Sequence, residues 1–175
     1  MNDVLETIKT RRSVRKYKAD AVPKELLDKI AEAGLYAASG LNRQSAIILK
    51  ITNKDCRDRI SALNAAVMGR DGSDPFYGAP AVLVVLADRS FPTYVYDGSL
   101  VMGNMMLEAH ALGLGSCWIH RAKEVFAGEE GKKILKSLGI DPEKYEGIGN
   151  LIVGYTDGEY PTAAPRNENR FFEIV

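Results

Sequence analysis

Seven residues near the beginning, Arg11-Arg12-Ser13-Val14-Arg15-Lys16-Tyr17, place four cations and a hydroxyl side by side in a chain whose 23 basic and 23 acidic residues otherwise cancel. Guanidinium forks match phosphate oxygens better than ammonium groups do. In an extended stretch side chains alternate between faces, so Arg11, Ser13 and Arg15 share one side and Arg12, Val14 and Lys16 the other. Two residues of strand advance about 6.5–7 Å, so the first triplet is spaced to grip a phosphate and follow an attached polyol towards a ring. The same residues also suit a solvated basic patch where a helix ends.

Few other residues announce side-chain chemistry. The two histidines, His110 and His120, lie in no nucleophile motif, which leaves little for acyl transfer. Cys117-x-x-His120 resembles half of a metal site without a second ligand pair, so no metal is expected. Gly113-Leu114-Gly115 follows a helical pattern and precedes a strand-like one, the reverse of a dinucleotide fingerprint, and no Walker sequence occurs. Redox chemistry would therefore have to come from a bound cofactor.

Zero net charge offers no broad basic face for a nucleic-acid backbone. No apolar run approaches the ~20 residues that span a bilayer, and the first residues lack a cationic region followed by an apolar core. Cys56 and Cys117 form no CxxC and suit free thiols. These features predict a cytoplasmic protein, with neither nucleic-acid nor membrane partner, that acts on a small molecule. A chain of 175 residues with 46% hydrophobic content makes one domain, 1–175, able to bury roughly 70% of its unfolded surface.

The elements that must position the basic stretch can be read from periodicity. Asp3-Val4-Leu5-Glu6 resembles an acidic capping box, opening a short helix with Val4, Leu5 and Ile8 on one stripe. Pro23 begins a second helix, with Leu26, Leu27, Ile30, Ala33 and Ala37 at helical spacing until Ser39-Gly40. A polar loop follows, then a strand over 46–51, a helix from Asp55 to about Met68, and a glycine-rich loop over 69–78. Residues 81–86 are apolar without alternation, which predicts a strand buried on both faces. From Tyr94 to Leu112 a helix is apolar nearly all round and must be enclosed. A second subunit would enclose it, with Gly98, Ser99 and Gly103 allowing close approach; a central core helix explains the pattern equally well. A short strand over 116–119, a helix over 129–138 and a strand over 149–155 complete the body. Pro161 and Pro165 keep the tail from folding as a helix, and Phe171-Phe172-Glu173-Ile174-Val175 is strand-like.

Five pieces in order carry a family resemblance: Arg11-Arg12-Ser13-Val14-Arg15 after the first helix, Ser39-x-x-Asn42-x-Gln44 after the second, Tyr77-Gly78-Ala79-Pro80 before an apolar strand, Gly113-Leu114-Gly115-Ser116-Cys117-Trp118-Ile119, and Pro165-Arg166. Together they resemble the nitroreductase family of dimeric, FMN-binding flavoenzymes. The resemblance implies an α+β fold, a mostly antiparallel central sheet flanked by helices, in an intertwined homodimer with two FMN sites at its interface.

It also implies roles. Arg11, Ser13 and Arg15 would hold the FMN phosphate and ribityl chain, Arg12 would contribute backbone contacts, and Arg166 would reach the phosphate from the tail, although by itself it suits a surface arginine beside a proline. Ser39, Asn42 and Gln44 would approach the flavin from the other subunit; they also suit a capping serine and loop amides. Asn64 would touch the pyrimidine edge. Trp118, Ile119, His120 and Arg121 would lie against the isoalloxazine, with the backbone N–H groups of His120 and Arg121 near N5 and O4, although the side chains of Trp118 and Ile119 also suit core packing. In many relatives a Pro-x-Glu-Gly sequence occupies this place. The implied activity is ping-pong hydride transfer from NAD(P)H through FMN to a nitroaromatic or quinone. The resemblance also admits a specialised relative that dehalogenates an aromatic or cleaves flavin, and a flavin-binding protein without turnover.

Overall fold

The unbroken apolar run of the clearest strand is explained by helices on both sides of it. In the computed structural model, which describes residues 4–174, all eight residues of β2 (Ala81–Asp88) are buried. It lies inside a four-stranded sheet with β1 (Ala46–Ile51), β3 (Gly115–Ile119) and β4 (Tyr145–Gly154), in the order β1-β2-β4-β3. Every neighbouring pair is antiparallel, with Ala46 opposite Ala87, Ala81 opposite Val153 and Ile119 opposite Asn150. This is the expected α+β architecture.

The two-residue period of the strands divides the core in two. Val82, Val84, Leu86, Cys117, Ile119 and Ile152 pack beneath α3 (Lys54–Val67), α5 (Ala122–Ala127) and α6 (Glu129–Ser137), against Ile60, Phe126 and Leu135. Leu83, Val85, Leu151 and Val153 pack beneath α2 (Lys24–Leu35) and α4 (Tyr94–Ala111), against Leu27, Ile30, Met102 and Met105. Among the described residues no helix is long and apolar enough to cross a membrane.

Several expectations are corrected. The second helix ends at Leu35, where Tyr36 caps it, four residues before Ser39. The last strand begins at Tyr145 rather than Gly149, because Gly147 and Gly149 serve close packing inside a strand rather than a turn. A Cβ at Gly147 would lie 2.4 Å from the backbone of Ala122, and one at Gly149 2.5 Å from the Trp118 indole nitrogen. The short α5, six residues long, had no sequence signal. Residues 171–174 form no strand, and Asp3 and Val175 lie outside the described residues.

Gly98 faces its own sheet, where a Cβ would meet Ile148 at 2.6 Å, while Gly103 faces open space. Ser99 bonds back to the Val95 carbonyl. Within one chain α4 is enclosed on one side only: Val95, Tyr96 and Leu100 are exposed. The first helix, α1 (Val4–Thr10), buries none of its residues.

Candidate functional site

After α1 the basic stretch runs along the outer edge of β3. Ser13 bridges Ser116 in parallel, the Val14 N–H donates to the Ser116 carbonyl at 3.0 Å, and Tyr17 bridges Thr156. Val14 is the peg, 1% exposed in the core; Arg11 and Ser13 are half-buried and Arg15 is exposed. Arg12 turns back on α1, its Nη1 donating to the Lys9 and Arg11 carbonyls at 2.8 and 2.7 Å. The alternation predicted from an extended chain thus holds at Val14 but fails at Lys16, which is exposed and paired with Asp157.

Two guanidinium nitrogens in this stretch, Arg11 Nη1 and Arg12 Nε, are buried without a hydrogen-bond partner. Leaving such donors unsatisfied costs on the order of 1–3 kcal/mol each, more for a charged group. An anion oxygen at this place would remove that cost, so these residues fit a phosphate. The tail supports the stretch from outside: the Arg12 N–H donates to Tyr160 Oη at 2.9 Å, and Tyr160 stacks on His110 with ring centroids 5.5 Å apart.

At the other end of β3, Ile119 is 6% exposed in the core and Trp118 lies half-buried against Gly149, so both side chains belong to packing. His120 is exposed and Arg121 half-buried. Asn64, 0% exposed on α3, donates Nδ2 to the His120 carbonyl at 2.9 Å and accepts from Arg121 Nε at 3.0 Å. Its amide therefore supports the 120–121 backbone. Asn150 on β4, which no sequence pattern singles out, donates to the Ile119 and His120 carbonyls.

Ser39, Asn42 and Gln44 sit beside the start of α4, and none of the hydrogen bonds among the described residues links them to the basic stretch or to 118–121. Their loop is strained and held. Leu41, Asn42 and Gln44 all have positive φ, at 51°, 54° and 50°. The Gln44 N–H donates to Ser39 Oγ at 3.0 Å, and Gln44 Nε2 to Asn42 Oδ1 at 3.2 Å. The clamp is Asp97, 3% exposed on α4, which accepts from the Gly40 N–H at 3.0 Å, Ser45 Oγ at 2.9 Å and Thr93 Oγ1 at 3.2 Å. Asp97 was missed because a lone acid inside an apolar helix names no partner. Arg166 lies in the exposed tail.

A cavity of about 660 Å³ opens elsewhere, lined by Ala21, Arg57, Ser61, Asp74 and Pro80 but by none of the basic stretch. Its charged groups are engaged within the fold. Arg57 donates to the Ala79 carbonyl, Asp58 and Asp74. Burial alone would raise the pKa of Asp74, but donors from Arg57, Ser61 and the Gly78 N–H hold it below the ordinary carboxylate range. Those bonds pin the second half of the 69–78 loop.

Residues 8–155 match the model of the nitroreductase family. This chain belongs to that family. A relative from Methanothermobacter thermautotrophicus, named an NADH dehydrogenase/NAD(P)H nitroreductase, is 36% identical over 158 residues, covering 87% of this chain and 77% of its own. An NADPH-flavin oxidoreductase of Vibrio harveyi is 26% identical over 191 residues, covering 99% of this chain and 77% of its own. Among solved structures, a nitroreductase of Bacteroides fragilis with bound FMN superposes over 100% of both chains with a TM-score of 0.88 at 28% identity. One of Desulfitobacterium hafniense, also with bound FMN, gives 0.86 at 28% identity, again over 100% of both chains.

The segment Trp118-Ile119-His120-Arg121 ends in a backbone conformation that L residues seldom adopt. Arg121 has φ 75°, ψ 12°, a conformation glycine adopts freely and other residues at a cost of about 1–2 kcal/mol. The bond from Arg121 Nε to Asn64 offsets part of that cost.

Proposed function

We propose that this nitroreductase is an FMN-dependent oxidoreductase, working as a homodimer, that moves hydride from NAD(P)H to an electron-poor acceptor such as a nitroaromatic or a quinone. The observation that carries the reading is the pair of orphaned guanidinium nitrogens on Arg11 and Arg12 at one end of β3, with the Asn64-braced turn of His120 and Arg121 at the other. Four residue steps lead from Ser116 to His120, about 13 Å along a strand. That is a span suited to a phosphate, a five-carbon chain and the near edge of a ring.

Bound FMN would supply the hydride-accepting and hydride-donating centre. The chain does the rest. Arg11, Ser13 and Arg15 would hold the phosphate and ribityl chain, with Arg12 contributing backbone contacts and its orphaned Nε, and Arg166 reaching in from the tail. The N–H groups of His120 and Arg121 would face the reacting edge of the ring, where such donors favour the negative charge that builds on reduction. Ser39, Asn42 and Gln44 complete the ring site from the other subunit. Exposed Val4, Leu5 and Ile8 on α1, Tyr96 and Leu100 on α4, and Phe171 and Phe172 on the tail form the apolar surface that the dimer covers. A monomer mass by light scattering at concentrations where FMN is bound would remove the dimer.

Turnover is tested by colour. FMN-loaded protein should bleach with NADH or NADPH under nitrogen and recover its yellow with menadione or a nitroaromatic. Failure to bleach with either nucleotide would reduce the protein to a flavin carrier, and bleaching without recovery would reject these acceptors.

A further inference from the structure

The segment that meets the flavin edge is held from behind by two asparagines, neither of them 1% exposed. Asn150 and Asn64 both stand at 0%. Asn150 Nδ2 donates to the Ile119 carbonyl at 3.2 Å and to the His120 carbonyl at 3.4 Å, and Asn64 Nδ2 donates to the same His120 carbonyl at 2.9 Å. No peptide bond among the described residues is cis, so the C=O and N–H of each peptide point in opposite directions. Drawing the Ile119 and His120 carbonyls into the interior therefore turns the His120 and Arg121 N–H groups out of it. Two consecutive carbonyls can face one way only if the chain leaves the strand geometry at His120, which joins their two peptides, and β3 does end at Ile119.

We infer that Asn150 and Asn64 are positioning residues that aim the His120 and Arg121 N–H groups at the reacting edge of the flavin and thereby set its reduction potential. The inference rests on the FMN reading above. Its physical basis is that a donor fixed before reaction stabilises developing charge without reorganising, and that buried amides anchoring a carbonyl are costly to leave unpaired. A structural role alone would leave the potential where it is. Aiming would not: with the carbonyls released the two N–H groups can turn away, and reduced FMN, the more electron-rich form, loses more than oxidised FMN does.

The test uses FMN-loaded wild type, Asn150→Ala and Asn64→Ala, with potentials measured by dye-coupled titration. Backbone chemical shifts of Ile119 to Arg121 are followed in the flavin-free proteins. Each substitution is expected to weaken binding of reduced FMN about tenfold more than that of oxidised FMN, which converts to a potential about 30 mV more negative. Should Asn150→Ala fail to fold, Asn150→Ser and Asn64→Ala carry the same comparison. An unmoved potential in the loaded variants, or unmoved shifts at 119–121, overturns the inference. Shifts that move in a protein that takes up no FMN even as wild type overturn the flavin reading instead, and the redox role falls with it while the turn assignment stands.

Discussion

Arg11 is a half-buried cation with one guanidinium nitrogen that meets no acceptor from the protein. A charge-assisted bond to a phosphate is worth roughly 1.5–3 kcal/mol, so Arg11→Ala should weaken FMN binding about tenfold to a hundredfold, as read by quenching of flavin fluorescence. Arg11→Lys should recover only part, because an ammonium lacks the planar fork. Unchanged affinity in the alanine variant would take the residue out of the site. This group was legible in the sequence because its charges are neighbours along the chain. Asn150 and Asp97 were not, for a single polar residue in an apolar run does not say which carbonyl or N–H the fold will bring opposite it. Asn64 was named from the sequence for the pyrimidine edge, while its bonds to the His120 carbonyl and the Arg121 side chain depend on where α5 begins, and that helix is too short for periodicity to reveal.

At the scale of elements, the loop between α2 and β1 combines two opposed features. Three non-glycine residues at positive φ cost about 1–2 kcal/mol each, and a buried carboxylate on a different helix opposes that strain by holding Gly40 and Ser45. Asp97→Ala should let the loop open and expose the bond after Arg43 to trypsin. Loss of charged hydrogen bonds worth about 1.5–3 kcal/mol raises the open population, and with it the nicking rate, roughly tenfold or more. Asp97→Asn can still accept from the Gly40 N–H and should stay near wild type. Equal resistance in the alanine variant would show that the loop holds its shape unaided. The long helices that frame this loop were legible from their period, and β1 and β2 from short apolar runs. The loop's own shape was not, because Leu41 and Gln44 are not residues that advertise a left-handed backbone. The first half of β4 hid for a related reason: Gly147 and Gly149 look like a turn until Ala122 and Trp118 are seen against them.

For the whole molecule, His110 ties together stretches far apart in sequence. The hydroxyl proton of Thr10 goes to the Glu6 carbonyl at 2.7 Å, so its oxygen must accept from His110 Nε2 at 2.8 Å. A neutral ring then offers Nδ1 as acceptor to Tyr160 Oη at 3.1 Å, and that oxygen in turn accepts from the Arg12 N–H. The chain of bonds joins α1, α4, the tail and the basic stretch, and it is complete only with His110 uncharged. Burial first, then Arg11 and Arg12, lower the His110 pKa. The folded ring therefore takes its proton at a lower pH than the unfolded one, whose pKa is about 6.5. Above that value both forms are neutral and the stabilisation is whole; as pH falls the unfolded chain is protonated first, and stability is lost until the folded ring is charged too. His110→Phe keeps a ring against Tyr160 without a titrating nitrogen. In flavin-free protein the difference in melting temperature between wild type and His110→Phe should be greatest at pH 7.5 and shrink towards pH 5.5, where carboxylates common to both cancel. A difference that stays constant across that range would mean the ring's protonation does not couple the tail to the basic stretch.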